Sequence, residues 1–171
     1  LGDVYKRQPT VISALSDGSI AEDAAYSLDV NGMCTDVDAS DTMAYSISGA
    51  PSTITISGTT ISGTPVNADV GTHTITVTCT DSGSATASDD YDLTVTNTND
   101  APTISSTAVT AVDEDAAYSY TVTASDVDSG DTVTLTGTTV PAWMTFDATT
   151  GALTGTPTNS EVGSHTVVIT A

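Results

Sequence analysis

Apolar residues alternate with Thr and Ser in several short runs along the chain, such as THTITVTCT at 72–80 and YSYTVTAS at 118–125. Alternation with a period of two is typical of β-strands that are buried on one face. Thr and Val dominate these runs and favour strands, whereas the Gly, Pro, Asn and Asp residues between the runs favour turns. Ala and Leu do not recur at helical spacing. The pattern therefore predicts an all-β protein with essentially no helix.

The sequence contains an internal repeat. Three segments occur twice, and the first and last of them recur 92 positions further on: AEDAAYS (21–27) with DEDAAYS (113–119), DVDASDT (36–42) with DVDSGDT (126–132), and SGTPVNADVGTHT (62–74) with TGTPTNSEVGSHT (154–166). A period of about 90 residues fits one seven-stranded β-sandwich per copy. The sequence therefore predicts two tandem antiparallel β-sandwiches, the first over 9–98 and the second over 99–171.

Both ends of the chain depart from this repeat. Ala171 aligns with Cys79, so the second copy lacks a counterpart of YDLTVTNT at 91–98, which reads as the last strand of the first copy. We therefore expect the second sandwich to be truncated before its last strand. The octet LGDVYKRQ at 1–8 has no counterpart, and we expect it to be a sequencing-adapter artefact. The alternative is a short basic linker from a neighbouring domain.

The charge of the chain is strongly negative. There are 22 acidic residues and a formal net charge of −20, and the only two basic side chains, Lys6 and Arg7, lie in the octet. This charge excludes nucleic acid as a partner and disfavours an anionic membrane surface. No apolar run approaches the roughly 18 residues of a membrane-spanning helix, so we expect no direct membrane insertion. Such a chain repels itself when compact, which favours a medium that supplies salt or a divalent cation.

The acidic residues are clustered in a way that suggests calcium, which is bound by several oxygen ligands. An EF-hand beginning at Asp126 fails, because loop positions 5 and 6 are Gly130 and Asp131 and no helices flank them. Strand parity instead puts the loop of Asp126 and Asp128 at the end of the second domain that faces the linker NTNDAP at 97–102. The alternative is that these acids are solvated turn residues.

The segment VPAWMTFDATTGALTGTPTNSEVGSHTVVITA at 140–171 resembles the dystroglycan-type cadherin-like repeats of bacterial surface proteins, which belong to the cadherin superfamily. The resemblance covers both copies and implies tandem Ig-like or cadherin-like β-sandwiches. It also implies Ca²⁺ at the junction of the two domains, bound by Glu22, Asp69, Asn97, Asn99, Asp100, Asp126 and Asp128. It further implies two half-sites: Asp36, Asp38 and Asp81 towards a preceding repeat, and Glu114 and Glu161 towards a following repeat. Asn97 departs from the family pattern, where Asp is usual, and this weakens the site.

The two cysteines, Cys34 and Cys79, lie in the first copy and are replaced together by Ala124 and Ala171 in the second. The strand alternation places both positions on inward faces, in the series Tyr118, Tyr120, Val122, Ala124 and the series His165, Val167, Ile169, Ala171. We predict a disulfide, which implies an oxidising, extracytoplasmic setting. The alternative is a pair of buried free thiols.

Candidate catalytic residues are few. His73 and His165 occupy equivalent positions, which favours a shared structural role, and Trp143 and Phe146 are expected in the core. No nucleophile elbow, zinc-protease motif or phosphate-binding loop is present, and every notable carboxylate pair recurs in both copies, so we do not expect an enzyme.

The sequence therefore favours a calcium-stiffened structural or adhesion repeat of a large secreted or surface-anchored bacterial protein, located outside the cell or at its surface. Its expected partners are neighbouring repeats of the same chain, with a cell-surface protein or glycan as a further candidate. The alternative is a carbohydrate-binding module, either of an adhesin or beside a glycan-degrading enzyme, in which an exposed Trp143 would stack on a sugar.

Overall fold

The computed structural model describes residues 10, 11, 14–36 and 42–171. The chain divides into two compact units, with the division between Thr98 and Asn99. Unit 1 ends at Thr98 and unit 2 begins at Asn99, and each is described by itself. The octet 1–8 and Asp38 lie outside the described residues.

Unit 1 consists of nine strands and one short 3-10 turn in its described part: β1 (Thr10–Val11), β2 (Gly18–Ala21), β3 (Tyr26–Asp29), β4 (Cys34–Thr35), β5 (Ala44–Ser48), β6 (Ile54–Ser57), β7 (Thr60–Gly63), the 3-10 turn (Asn67–Asp69), β8 (Gly71–Thr80) and β9 (Thr86–Thr96). One sheet has the order β3-β7-β6 and the other has the order β2-β9-β8-β5, while β1 pairs with β4. Alternate residues of both sheets are buried or half-buried, as the period-two pattern predicts. The structure thus confirms an all-β fold.

The core of unit 1 lies between these two sheets. Ile54 and Ile61 come from the first sheet, and Ile75, Val77 and Leu93 come from the second. Burying an aliphatic side chain of this size stabilises a fold by about 1.5–3 kcal/mol. The alternating apolar residues therefore hold the two sheets together.

One pairing differs from the predicted antiparallel arrangement. β2 runs parallel to β9, with Gly18 opposite Leu93 and Ile20 opposite Val95, whereas the other strand pairs are antiparallel in the described residues. Parallel neighbours need a long connection. Here the strands β3 to β8 supply it, because β2 comes near the start of the unit and β9 at its end.

Unit 2 has seven strands and a 3-10 turn: β10 (Thr103–Ile104), β11 (Tyr118–Thr121), β12 (Ala124–Ser125), β13 (Thr136–Thr139), β14 (Met144–Asp147), β15 (Ala152–Gly155), the 3-10 turn (Asn159–Glu161) and β16 (Val168–Thr170). The sheet β11-β15-β14 repeats the register of β3-β7-β6, because Tyr118 lies opposite Gly155 as Tyr26 lies opposite Gly63. β13 pairs with β16 as β5 pairs with β8. The duplicated sequence therefore produces a duplicated framework.

The turn of the repeated motif EDAAYS is the same in both units. Asp23 and Asp115 both have a φ of 59°, in the left-handed region. Asp23 donates a backbone hydrogen bond to the carbonyl of Pro65, and Asp115 donates one to that of Pro157, each at 2.8 Å. Asp tolerates this conformation better than most residues with a side chain, which accounts for its recurrence here.

A disulfide joins Cys34 in β4 to Cys79 in β8, with their Cα atoms 6.5 Å apart, which confirms the predicted pairing. Both cysteines are buried. Two of the positions predicted to face inward in unit 2, His165 and Ala171, are instead exposed. In unit 1 the equivalent positions are covered by β9 and by the disulfide, and unit 2 has neither feature among its described residues.

Unit 2 has a smaller buried core than unit 1. The buried hydrophobic side chains of its described region are Tyr118, Val122 and Leu153. Trp143 and Phe146, which were expected in the core, are half-buried. Within the described ranges, we find no helix with the length and apolar character that crossing a membrane requires.

Candidate metal centre

Three aspartates of the DVDSGD segment cluster in the loop after β12. Asp126, Asp128 and Asp131 each offer a carboxylate oxygen, and these oxygens lie within 4.8 Å of one another. Asp126 Oδ1 accepts the backbone N–H of Asp128 at 2.9 Å, and the Asp128 carbonyl accepts the N–H of Asp131 at 3.2 Å. Gly130 allows this tight path, since its φ is +101°. The backbone of the loop thus holds three carboxylates close together.

Asp128 is the buried member of the cluster, with 5% of its surface exposed. Its Oδ2 accepts the backbone N–H of Asp100 at 2.7 Å, and the side-chain amide of Asn99 donates to the Asp100 carbonyl at 2.7 Å. The first residues of unit 2 are therefore tied to the DVDSGD loop. Of the predicted ligands, the structure gathers Asp100, Asp126 and Asp128 in this part of unit 2.

In unit 1 the main candidate is Glu22, which follows β2 and has only 3% of its surface exposed. Its Oε1 accepts the backbone N–H of Thr98 at 2.8 Å, and its own N–H donates to the carbonyl of Thr96 at 3.0 Å. No donor within the described ranges reaches its Oε2, although that atom is buried. Burying a carboxylate oxygen without a hydrogen-bond partner costs free energy of folding, and binding a cation would offset this cost. Glu22 is therefore a candidate metal ligand.

Asp69 and Glu161 occupy equivalent positions in the two 3-10 turns. Asp69 accepts hydrogen bonds from the Thr53 hydroxyl at 2.7 Å and from the Val66 N–H at 3.0 Å. The first of these bonds contributes most to holding the pKa of Asp69 below its usual value. The hydroxyl of Thr158 acts in the same way on the pKa of Glu161. Both carboxylates are thus engaged in turns, as the alternative interpretation expects.

The remaining predicted ligands are more dispersed. Asp81 has 5% of its surface exposed; its Oδ1 accepts the N–H of Ala85 at 2.8 Å, while its Oδ2 has no partner within the described ranges. Asp36 is half-buried. Glu114 is exposed and accepts a bond from Asn159 at 2.9 Å, and the exposed Asn97 accepts one from Asn67 at 3.4 Å.

The two histidines have the shared structural role that their positions predicted. His73 Nε2 donates to the carbonyl of Asp69 at 2.7 Å, and His165 Nε2 donates to that of Glu161 at 2.6 Å. Trp143 makes edge-to-face contacts with the rings of Tyr118 and His165. Its Nε1 is buried, and no acceptor in the described part of the chain bonds to it.

The chemistry of these groups suits a hard cation. The clustered oxygens are carboxylates, which Ca²⁺ prefers together with carbonyls and amides. From Pro9 to Ala171 the sequence has no Lys or Arg that could neutralise them. Two carboxylates about 4 Å apart repel each other by about 4 kcal/mol at an effective dielectric of 20. A divalent cation would remove this repulsion.

Sequence reasoning missed Asp131. An EF-hand would have glycine at the position of Asp131, and the family resemblance implies ligands only at the first two aspartates of the motif, Asp126 and Asp128. The signal was the third aspartate of DVDSGD itself, which a turn at Gly130 brings back towards Asp126.

Comparison with known proteins gives a family and a fold. The model of a family described as "Putative Ig domain" matches residues 8–96 and 101–171. A solved structure of an endo-fucoidan hydrolase from glycoside hydrolase family 107 is similar with a TM-score of 0.50 and 24% identity, over 99% of this chain. The extracellular domain of protocadherin GammaB4 is similar with a TM-score of 0.47 and 19% identity, over 95% of this chain. No curated protein matches.

This chain spans only 27% of the hydrolase structure and 30% of the protocadherin structure. At this level of identity the hydrolase likeness shows the fold alone. The family match covers both copies of the repeat, and it confirms two tandem Ig-like repeats.

Proposed function

Because this chain belongs to the "Putative Ig domain" family through both of its repeats, we propose that it is a structural or adhesion module stiffened by Ca²⁺ at the junction of the repeats. Such a module belongs to a large extracellular or surface-anchored protein, in which it spaces a distal domain from the cell. Its partners are then neighbouring repeats, and it performs no catalysis. The disulfide supports an oxidising location.

The observation that carries this proposal is the burial of carboxylates in a stretch of sequence, 9–171, that contains no Lys or Arg. Glu22 and Asp81 are buried, and Glu22 Oε2 and Asp81 Oδ2 have no hydrogen-bond donor within the described ranges. Burying a charge is unfavourable unless it is paired or coordinates a metal. A cation from the medium is the simplest partner.

The proposed junction ligands lie on both sides of the linker in sequence. Glu22 binds the N–H of Thr98, and Asp128 binds the N–H of Asp100, so buried carboxylates of the two units hold backbone amides only two residues apart in the chain. We assign Ca²⁺ at the junction to Glu22, Asp69, Asn97, Asn99, Asp100, Asp126 and Asp128, and we add Asp131. The half-sites are Asp36, Asp38 and Asp81, and Glu114 and Glu161.

Calcium is preferred over other metals because every assigned ligand atom is oxygen. Zinc and copper sites in proteins usually include Cys or His, but both cysteines are in the disulfide, and both histidines donate to backbone carbonyls. When bound, Ca²⁺ would supply positive charge and link ligands from both units. The stiffening of the module would follow from this link.

The test is a calcium titration of the whole chain after treatment with EDTA. If free Ca²⁺ reaches 100 times its Kd, the bound form gains about 2.7 kcal/mol, so at least one melting transition should rise. Small-angle scattering should show reduced flexibility between the units under the same conditions. Asp128→Asn, which keeps the shape of the side chain, should abolish both responses.

The matched control is Asp90→Asn, which removes one exposed carboxylate from β9 and should leave both responses intact. A wild-type chain whose melting and scattering are the same in EDTA and in millimolar calcium would contradict the proposal. A response that survives Asp128→Asn would contradict the ligand assignment, and so would a response that Asp90→Asn abolishes.

The carbohydrate-binding alternative has one observation in its favour. Trp143 lies at a cleft in unit 2, and its buried Nε1 has no acceptor within the described ranges. Against this, the Trp143 ring is half-buried and contacts Tyr118 and His165, so it is not an open platform. Glycan binding that is lost in Trp143→Ala would favour this function over the spacer.

A further inference from the structure

The turn between β3 and β4 contains the only Asn-Gly pair of the sequence, Asn31 and Gly32. The N–H of Met33 donates to the carbonyl of Val30 at 3.2 Å and closes this turn, in which Gly32 has a φ of 76°. Both residues of the pair are exposed. Unit 2 has no counterpart of the pair, because the segment 122–124 joins β11 to β12 with two residues fewer.

Asparagine is a chemically labile residue, and the residue that follows it controls its reactivity. The backbone nitrogen of the next residue can attack the side-chain amide carbon and close a five-membered ring. Glycine at that next position has no Cβ to obstruct the attack. Around Gly32 even an added Cβ would meet no atom within 4 Å, so the surroundings of the turn leave room for the ring. The reaction requires that the attacking nitrogen and the side-chain amide are both available.

Both of these groups are available at Asn31. Its side-chain amide makes no hydrogen bond within the described ranges, because the bond that this residue gives to Asp29 Oδ1, at 2.9 Å, comes from the backbone N–H. The N–H of Gly32 also has no acceptor in the described part of the chain. Neither reacting group therefore has to break a hydrogen bond first.

The other four asparagines differ from Asn31 because their side chains are hydrogen-bonded. Asn67 donates to the side-chain oxygen of Asn97 at 3.4 Å, Asn99 donates to the carbonyl of Asp100 at 2.7 Å, and Asn159 donates to Glu114 Oε2 at 2.9 Å. These bonds hold each side-chain amide away from the backbone nitrogen that would attack it.

The attacking nitrogen is also occupied at three of these four asparagines. The N–H of Thr98 donates to Glu22 at 2.8 Å, that of Asp100 donates to Asp128 at 2.7 Å, and that of Ser160 donates to the hydroxyl of Thr158 at 3.4 Å. Among the described residues, Asn31 is therefore the asparagine at which both reacting groups are unbonded and the next residue is glycine.

We propose that Asn31 is a site of spontaneous covalent modification, at which the side chain is deamidated through a cyclic imide formed with Gly32. The Gly32 nitrogen bonds to Cγ of Asn31 and loses its proton, the bond from Cγ to Nδ2 breaks, and Nδ2 leaves with that proton as ammonia. One water molecule then opens the ring at either carbonyl. The products have aspartate or isoaspartate at position 31, and water is the only other reactant.

The isoaspartate product alters the turn between two fixed points of unit 1. Val30 is fully buried and its N–H donates to the carbonyl of Thr59 at 2.8 Å, while Cys34 is buried and held by the disulfide. Isoaspartate adds one methylene group to the backbone between these points, and both products add a negative charge beside Asp29. We therefore expect the isoaspartate form to have a lower melting temperature in unit 1 and an unchanged one in unit 2.

The test is incubation of the whole folded chain in warm, mildly alkaline buffer, where more of the attacking nitrogen is deprotonated. The chain is then reduced, alkylated and digested with a protease that cleaves before aspartate, which releases the peptide DVNGMCT at 29–35. Isoaspartate raises the mass of this peptide by the exchange of NH₂ for OH, whereas aspartate creates a new cleavage before position 31. We expect Asn31 to react at least about tenfold faster than each of the other four asparagines.

Two matched variants and one unfolded control show the origin of this selectivity. Asn31→Gln keeps an exposed amide but requires a larger ring, so position 31 should stay unmodified. Asn159→Gln removes another exposed asparagine and should leave the rate at Asn31 unchanged. In concentrated urea the hydrogen bonds of the other asparagines are lost, so the difference in rate should become smaller. The comparison among asparagines uses the wild-type chain and does not depend on the folding of a variant.

Two results would overturn the proposal. The first is a peptide 29–35 that keeps its mass and its cleavage pattern in the folded chain while the chain in urea reacts there. The second is reaction at Asn97, Asn99 or Asn159 of the folded chain as fast as at Asn31. An isoaspartate form, separated by chromatography, that melts like the unmodified chain would contradict the effect assigned to the turn.

Discussion

The aspartates at 23 and 115 show how one residue sets the position of a candidate ligand. Each adopts a left-handed conformation directly after a glutamate, Glu22 or Glu114, and each donates to the carbonyl of a proline in the same unit. The turn fixes where the preceding carboxylate points. Its exact recurrence explains why the sequence EDAAYS is repeated without change.

We predict that Asp23→Ala lowers the stability of unit 1 by about 1 kcal/mol, because Ala in the left-handed region is strained by its Cβ. Asp23→Asn should have a smaller effect, since Asn tolerates this region. The melting temperature of unit 1 measures the difference, at about 4–8 °C per kcal/mol for a domain of this size. Equal stability of the two variants would contradict the role assigned to the turn.

For single residues, the sequence predicted which side chains take part in a bond or cluster better than it predicted how those side chains are arranged. The paired replacement of Cys34 and Cys79 by alanines correctly predicted their bond, because two positions that change together in a repeat are often in contact. Asp131 was not predicted as part of the cluster because the ligand spacing of an EF-hand loop does not apply to the DVDSGD loop, which turns at Gly130. The sequence could not show whether the Asp69 carboxylate accepts hydrogen bonds within a turn or binds a metal, since the same side chain suits both roles.

At the scale of elements, long alternating runs were the most predictable. β8 and β9 are the longest strands, and both have the predicted period of two. The parallel pairing of β2 with β9 was not predicted, because pairing between distant segments depends on the whole topology rather than on local pattern. The two-residue strands β1, β4, β10 and β12 are too short to produce a periodic signal.

The disulfide links β4 to β8, so we expect it to stabilise unit 1 and to leave the stability of unit 2 unchanged. In the chain-entropy treatment, closing a loop of about 46 residues contributes about 4 kcal/mol. We predict that Cys34→Ala combined with Cys79→Ala lowers the melting transition of unit 1, and that a reducing agent has the same effect on the wild-type chain. Ala124 and Ala171 already occupy these positions in unit 2, so its transition serves as the internal control. A reducing agent that leaves both transitions unchanged would contradict this.

For the whole molecule, charge is the dominant property. A net charge of −20 on 171 residues means that the folded chain repels itself, and salt screens this repulsion over about 10 Å at 0.1 M.

We predict that adding NaCl raises the melting temperature of the chain in EDTA, and that the rise is smaller once Ca²⁺ is bound, because bound cations have already neutralised the clustered carboxylates. Differential scanning calorimetry at constant pH measures both slopes, and a tetramethylammonium salt controls for specific effects of Na⁺. A melting temperature that falls with NaCl in EDTA would show that self-repulsion does not limit stability.

The bond between Cys34 and Cys79 also determines how unit 1 responds to mechanical force. If the chain is pulled from its two ends, the force passes across the bond, and the 45 positions that separate the cysteines stay slack. At about 3.4 Å for each extended residue, the bond withholds about 150 Å of length. Unit 2 has no cysteine and releases its full length when it unfolds. A chain with the disulfide intact would therefore lengthen in two unequal steps, one for each unit. Reduction of the disulfide would add the withheld length to the step of unit 1.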